Sequence, residues 1–224
     1  HSSEALDGYK IIIAPHLYLL DENTAERLQA FAADGGILVL THRTGVKNDN
    51  NLCVMASLPG MLSACSGVRV TEYDPVGGDQ IQIRDEKGNI YAASQWADVL
   101  ELDTAQAIAV YADQFYAKSA AVTQNNWGKG AVYYVATQPD EAYLSQLLRT
   151  IAEQCGLSEI HSLPDGVQVT TRSGPNGTFR FILNLSPESV SIPLQASYTS
   201  ALDGTIKGTR LELGPYDIEI LEIQ

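Results

Sequence analysis

Residues 8–43 read GYKIIIAPHLYLLDENTAERLQAFAADGGILVLTHR, and this stretch decides the fold. Residues 9–14 (YKIIIA) form a short continuous apolar run, the pattern of a strand covered on both faces in a parallel sheet. Pro15 ends it. Asp21 or Asn23 can cap a following helix, in which Ala25, Leu28, Phe31 and Ala32 recur at helical spacing. Asp34-Gly35-Gly36 stops the helix, because glycine takes a left-handed C-terminal position without steric cost. Residues 37–41 (ILVLT) are a second buried strand. Strand, helix, Gly-Gly and strand make one βαβ unit, which predicts an α/β sheet domain with a right-handed crossover.

Working outward, residues 43–51 read as a polar loop and 58–66 as a short helix. Between 68 and 123 come short alternating runs, among them 68–72, 80–84, 89–93 and 108–111, separated by Gly-Gly and Asp-Glu-Lys-Gly turn signals. They predict a β-rich insertion on the α/β sheet. Gly128-Lys129-Gly130 is a tight turn into a third buried strand, 131–136 (AVYYVA). From Pro139 a helix is expected, lined by Ala142, Leu144, Leu147, Leu148, Ile151 and Cys155 and closed by Gly156. Beyond residue 158 no helical period remains. Runs at 167–171, 178–185, 190–194, 210–213 and 218–223 alternate with turns, as in a compact antiparallel β-sandwich. The expected domains are therefore 1–157 and 158–224.

With 224 residues and a formal net charge of −13, the chain would repel a phosphate backbone, and its Lys and Arg never cluster, so nucleic acid is not an expected partner. No apolar run approaches the ~20 residues that span a bilayer, and no signal peptide opens the sequence. Cys53, Cys65 and Cys155 form no CxxC pair and read as buried thiols of a reducing, cytoplasmic compartment. Asn176-Gly-Thr178 and Asn184-Leu-Ser186 match the glycosylation sequon, a pattern frequent by chance. His1-Ser2-Ser3 lacks an initiator Met and runs quickly into a strand, as expected of a trimmed fragment, and His1 fits a tag.

A nucleophile of the hydrolase or amidotransferase kind would sit on a strained turn directly after a strand. The junctions here read Ala14-Pro15-His16, Thr41-His42-Arg43 and Ala136-Thr137-Gln138, and none carries a Gly-x-Ser-x-Gly or Gly-x-Cys-x-Gly turn. His16 and His42 both follow sheet strands, where ligands of α/β folds bind. Two histidines without a spaced carboxylate make a poor metal site, and surface-loop positions explain them as well. His161 falls in the linker. Asp21-Glu22 and Asp140-Glu141 sit at helix starts, where negative charge is favoured. Asp85-Glu86, Asp98, Glu101 and Asp103 read as a solvated acidic surface. Gly128-Lys129-Gly130 lacks phosphate-loop spacing. Trp96, Phe115, Tyr116 and Trp127 lie in or beside loops and are the candidate interface anchors, with packing inside their own subdomain as the competing account. Neither a metal nor a cofactor is implied.

Several segments together resemble glycoside hydrolase family 42, the β-galactosidases. They are residues 8–28, 35–46 with Asn48-Asp49-Asn50, and most specifically 96–135 (WADVLELDTAQAIAVYADQFYAKSAAVTQNNWGKGAVYYV). Residues 179–194 (FRFILNLSPESVSIPL), Leu202-Asp203-Gly204 and Leu213-Gly214-Pro215-Tyr216 are similar to the family's terminal β-domain. The resemblance implies a bacterial enzyme with an N-terminal (β/α)8 barrel carrying two catalytic glutamates. A trimerisation domain of flavodoxin-like, amidotransferase-like fold and a small C-terminal β-domain follow. Only the last two are matched, so no catalytic residue carries over. A homotrimer, a β-galactoside substrate and a role shaping the active-site entrance are implied for the parent enzyme. The resemblance also implies a strand, a helix and another strand before Gly8, without which the sheet would keep an open edge that invites pairing. Lys118 stands where the family is expected to carry glycine. Two other readings compete: a stand-alone amidotransferase-like domain using His16, His42 and a cysteine, and a carbohydrate-binding β-domain using Phe179, Phe181, Tyr198 and Tyr216.

Overall fold

The computed structural model describes residues 5–157 and 163–223, so His1 and His161 lie outside the described residues. The chain divides into two compact units, the first ending at Gly156 and the second beginning at Leu157.

The opening βαβ unit forms as its pattern dictates. β1 (Ile11–Ala14) leads to α1 (Glu22–Ala33), and β2 (Ile37–Thr41) pairs parallel to β1 with Ile11 opposite Ile37. Asp21 is the cap: its carboxylate accepts from the Thr24 amide and hydroxyl, at 2.8 and 2.7 Å. These bonds hold Asp21 below its ordinary pKa. Ala25, Leu28 and Ala32 form the buried stripe of α1. β2 is buried along its apolar length, whereas β1 is only half-buried and Ile13 is 49% exposed. The expectation of two covered faces therefore fails for β1. It is the edge strand of its sheet and, among the described residues, pairs with β2 alone.

A short helix α2 (Ser63–Ser66) precedes the segment where structure and expectation part. The runs at 68–72 and 80–84 belong to one long strand, β3 (Val68–Asp85), and the run at 89–93 opens another, β4 (Ile90–Leu102), whereas 108–111 lies in a short strand as expected. β5 (Gln106–Tyr111), β6 (Ala120–Trp127), β7 (Gly130–Val135) and β8 (Thr137–Pro139) follow. Together they make one eight-stranded mixed sheet in the order β1-β2-β7-β6-β5-β3-β4-β8. The β-rich part is thus no insertion beside the sheet but its continuation. Gly77-Gly78 read as a turn; instead Gly77 opposes Gln95, both at left-handed φ (68° and 67°), where the register of β3 and β4 shifts. Such an irregularity bends a strand without ending it. Lys118, the departure from the family's glycine, sits at φ 77°, the backbone region glycine enters without strain.

Gly128-Lys129-Gly130 is the predicted turn, closing the β6–β7 hairpin with Trp127 opposite Gly130. Pro139 ends β8 rather than starting a helix. α3 (Glu141–Gln154) is capped by Asp140, whose carboxylate accepts from the Tyr143 amide at 2.9 Å. Its buried stripe is Tyr143, Leu147, Ile151 and Ala152, with Ala142 and Leu148 outside it. Leu147 and Ile151 of the expected stripe are buried and Cys155 packs against the same core, whereas Tyr143 and Ala152 join the stripe unforeseen. One core, including Ile81, Ile83, Tyr111, Tyr133 and Ile151, lies on the α3 face of the sheet. The other, including Leu28, Leu38, Leu40, Val132 and Tyr134, lies on the α1 face.

The second unit is antiparallel throughout. Its strands are β9 (Val167–Gly174), β10 (Gly177–Asn184), β11 (Val190–Pro193), β12 (Tyr198–Ser200), β13 (Ile206–Lys207), β14 (Arg210–Leu213) and β15 (Ile218–Ile223). A five-stranded sheet, β13-β12-β15-β10-β9, shares an apolar core with the β11–β14 pair: Ile182, Ile192, Leu211, Leu213 and Leu221. β12 and β13 are too short for periodicity to reveal. Asn184 is 1% exposed, its amide donating to the Glu188 and Gly214 carbonyls at 2.7 Å each, so its sequon is closed to a glycan. No helix among the described residues is long and apolar enough to cross a membrane.

Candidate functional site

Ligands of open α/β sheets bind beyond the carboxyl ends of the parallel strands. Here that edge gathers a polar and aromatic cluster on the α1 face. His16, directly after β1, and His42, directly after β2, meet with their Nε2 atoms 2.8 Å apart and their rings edge to face. One ring must donate and the other accept. His42 is 5% exposed, not a surface-loop residue, and its Nδ1 is buried without a well-formed hydrogen bond. Burial, then the neighbouring charges of His16 and Arg43, press its pKa down to about 4, with the Thr137 backbone pulling the other way. Among the described residues no group of three or more His, Cys, Asp or Glu is placed to hold a metal.

Beside the pair, Arg43 takes a left-handed backbone conformation, φ 66°, as does His16 at 46°. Non-glycine residues held there carry strain that the surroundings must offset. The Arg43 guanidinium lies 4.4 Å from the Trp96 ring centre, 5.1 Å from that of Tyr18 and 5.9 Å from that of Tyr73, and donates to the Tyr18 hydroxyl at 3.3 Å. Trp96 stacks on Tyr73 at 5.0 Å. Beneath them is Asp98, 1% exposed. Its carboxylate accepts from Trp96 Nε1 and the Tyr134 hydroxyl, both at 2.8 Å. Burial raises the Asp98 pKa even though both hydrogen bonds favour the carboxylate. Asp98 is therefore an internal post, not part of a solvated acidic surface. It fixes Trp96, which helps fix Arg43.

The four aromatic candidates fall in different places. Trp96 is half-buried in this cluster, and Trp127 is half-buried against the α1-face core. Tyr116 is 4% exposed and donates to Asp74 at 2.9 Å; Phe115 is 74% exposed and packs edge to face on Tyr116. The sequence reading missed Arg43, Tyr18 and Tyr73. Arg43 was signalled by its place after a parallel strand, but its aromatic partners come from segments that only folding brings together.

The thiols do not serve a nucleophile reading. Cys65 is buried and burial pushes it up to about 12, and burial also raises Cys155. Cys53 is exposed, which corrects the expectation of three buried thiols. On the second unit Tyr216 is 70% exposed, but Phe179, Phe181 and Tyr198 are only half-exposed within strands.

The His42 shift gives a testable consequence. Because its folded pKa lies below the ordinary 6.5, the neutral ring stabilises the fold above that pH, and the contribution is lost as pH falls toward about 4. A shift of that size corresponds to at most about 3 kcal/mol. Asp98 has the opposite sign, its contribution being complete in acid and lost as pH rises through its folded value. Urea titrations of the chain and of His42→Gln at pH 7 and pH 4.5 isolate the histidine, since Asp98 is common to both. The variant is expected to lose less stability on acidification; equal losses would refute the assignment.

Comparison with known proteins places the chain. Residues 1–158 match the family model described as the β-galactosidase trimerisation domain, and residues 166–222 match the β-galactosidase C-terminal domain. The chain is 41% identical over 221 residues to the β-galactosidase BgaA of Clostridium cellulovorans, covering 99% of this chain and 34% of that protein. It is 33% identical to the β-galactosidase BglY of Alicyclobacillus acidocaldarius, covering 98% of this chain and 33% of that one. The β-galactosidase structure from Bacillus circulans sp. alkalophilus superposes with a TM-score of 0.94 at 29% identity, over all of this chain and 34% of its own. The chain thus spans about a third of the length of the relatives it matches. By both family models and these identities, the chain belongs to the glycoside hydrolase family 42 β-galactosidases and corresponds to their trimerisation and C-terminal domains.

Proposed function

We propose that these residues are a non-catalytic assembly region of a β-galactosidase, holding subunits together as a homotrimer and shaping the entrance to the active site. The observation that carries this reading is the match of residues 1–158 to a domain described by its trimerisation. The parent enzyme would hydrolyse terminal β-D-galactosides with retention, using a glutamate nucleophile and a glutamate acid/base on a (β/α)8 barrel. Five carboxylates of the first unit with structural partners support this division of labour. Asp21 and Asp140 cap helices, Asp103 pairs with Arg69 at 2.8 Å, Asp85 accepts from the Asn89 amide, and Asp98 is an internal post. A flavodoxin-like, amidotransferase-like fold for the sheet domain and a cytoplasmic location belong to the same proposal. Phe115 and Trp96 are the proposed interface anchors, with Tyr116 packed beneath Phe115, while Trp127 is a further candidate at the β6–β7 hairpin.

The purified 224-residue chain is expected to release no aglycone above background from an aryl β-galactoside. Turnover that a point substitution within this chain abolishes would overturn the non-catalytic reading.

A further inference from the structure

Tyr73 and Asp74 are consecutive residues of β3, so their side chains leave opposite faces of the β3–β4 ribbon. The pairing of Tyr73 with Asp98 and of Asp74 with Ala97 fixes which face is which. On the Tyr73 face lies the socket of Arg43, Tyr18, Tyr73 and Trp96. Lys47 adds a second cation, 5.8 Å from the Tyr18 ring centre. A bridge joins Lys47 to Leu19, which is 52% exposed. Asp98, the carboxylate bonded to Trp96, is buried and also accepts from Tyr134. On the Asp74 face stands a knob, Phe115, 74% exposed on top of Tyr116, with Asp74 bonded to Tyr116 and Asp113 two residues away in sequence.

One side of a single ribbon thus carries two cations among aromatic rings, and the other carries a protruding phenyl ring with the carboxylates Asp74 and Asp113 and the exposed Lys118 of the same loop. A closed ring of three copies requires this kind of asymmetry, because each contact in an odd-numbered cycle joins two different patches. The chain carries a net charge of −13, and against that background Arg43 and Lys47 put two cations over the rings of Tyr18 and Trp96. The socket's complement is a surface like the rest of the chain, acidic, with an apolar group that an aromatic and guanidinium box can hold.

We propose that the Arg43–Trp96 socket of one copy receives the Phe115 knob of the next, making this the head-to-tail contact between copies. The proposal rests on the assembly reading above and adds the two surfaces and their polarity. Arg43→Glu breaks the socket and leaves the knob; Phe115→Asp breaks the knob and leaves the socket. Each variant alone is expected to sediment as a monomer where the parent chain is a trimer, with subunit affinity weakened roughly 30-fold or more, as for a central anchor. Mixed in equal amounts, the two are expected to give a one-to-one dimer and nothing larger, since one intact knob then meets one intact socket. Circular dichroism and thermal melts check folding, and Tyr73→Glu, at a 55% exposed site, replaces Arg43→Glu if that variant folds poorly. Trimers from either single variant, or no dimer on mixing, would overturn the contact while leaving trimer assembly standing. A parent chain that is itself monomeric would overturn both.

Discussion

Replacing Gly130 with alanine is expected to cost about 3 kcal/mol or more, the upper range for inserting a methyl group where neighbours cannot yield. A Cβ at this position would lie 2.1 Å from the Gly36 carbonyl oxygen and 2.4 Å from that of Ala32, both backbone atoms. The β6–β7 hairpin is clamped there onto the end of α1. The Lys129 amide donates to the Ala33 carbonyl at 2.8 Å, and the Ala131 amide to that of Gly36 at 3.2 Å. Gly128 is constrained as well, with φ 58° and a would-be Cβ 2.5 Å from the Ala33 oxygen. For a chain of this size the loss corresponds to a drop of roughly 6–12 °C in melting temperature. Gly174→Ala, whose Cβ would have nothing within 4 Å, is the control and is expected to change stability by no more than about 0.5 kcal/mol. Equal melting temperatures for the two variants would show that the clamp does not exist.

The second large effect is expected at Asp98. Asp98→Ala removes the acceptor for Trp96 Nε1 and for the Tyr134 hydroxyl, Tyr134 being fully buried. Leaving buried donors unpaired costs about 1–3 kcal/mol each, so a total of roughly 3–5 kcal/mol is expected. Asp98→Asn keeps an acceptor oxygen and is expected to lose less than half as much. Denaturant unfolding followed by tryptophan fluorescence reads both the stability and the release of Trp96. If Asp98→Ala and Asp98→Asn prove equally stable, the carboxylate is not the post on which the Trp96–Arg43 cluster stands. Socket geometry and assembly should fail together with it.

The large sheet shows what a one-dimensional pattern conveys and what it omits. β2 and β7 were legible because burial on both faces demands continuous apolar residues. The caps Asp21 and Asp140 lie at helix starts that the same pattern marks, although Pro139 ends β8 and α3 begins only at Glu141, so that Tyr143 joins Leu147 and Ile151 in the buried stripe. The 18-residue β3 was not legible, because Gly77-Gly78 signals a turn equally well whether the chain reverses or only bulges. The opposing Gln95 on β4 decides between these, and that pairing is a long-range fact. β6 was hidden for a related reason: Thr123, Asn125 and other polar residues are buried in it, which weakens its apolar pattern.

The candidate site divides in the same way. His16 and His42 were visible as residues following parallel strands, and only the pairing of β1 with β2 sets their rings 2.8 Å apart. Trp96 and Phe115 were visible as loop aromatics, whereas Tyr116, adjacent to Phe115 in sequence, is nearly buried because its hydroxyl reaches Asp74. The sequence by itself determined the βαβ start, the helix caps, the absence of a nucleophile turn and the family resemblance, since these are carried by adjacent residues. The tertiary structure alone decided that residues 8–43 and the β-rich stretch form one sheet, that Asp98 is an internal post, and that Arg43 sits among Tyr18, Tyr73 and Trp96. These depend on contacts across tens of residues, where burial and charge are set by neighbours that local periodicity does not encode.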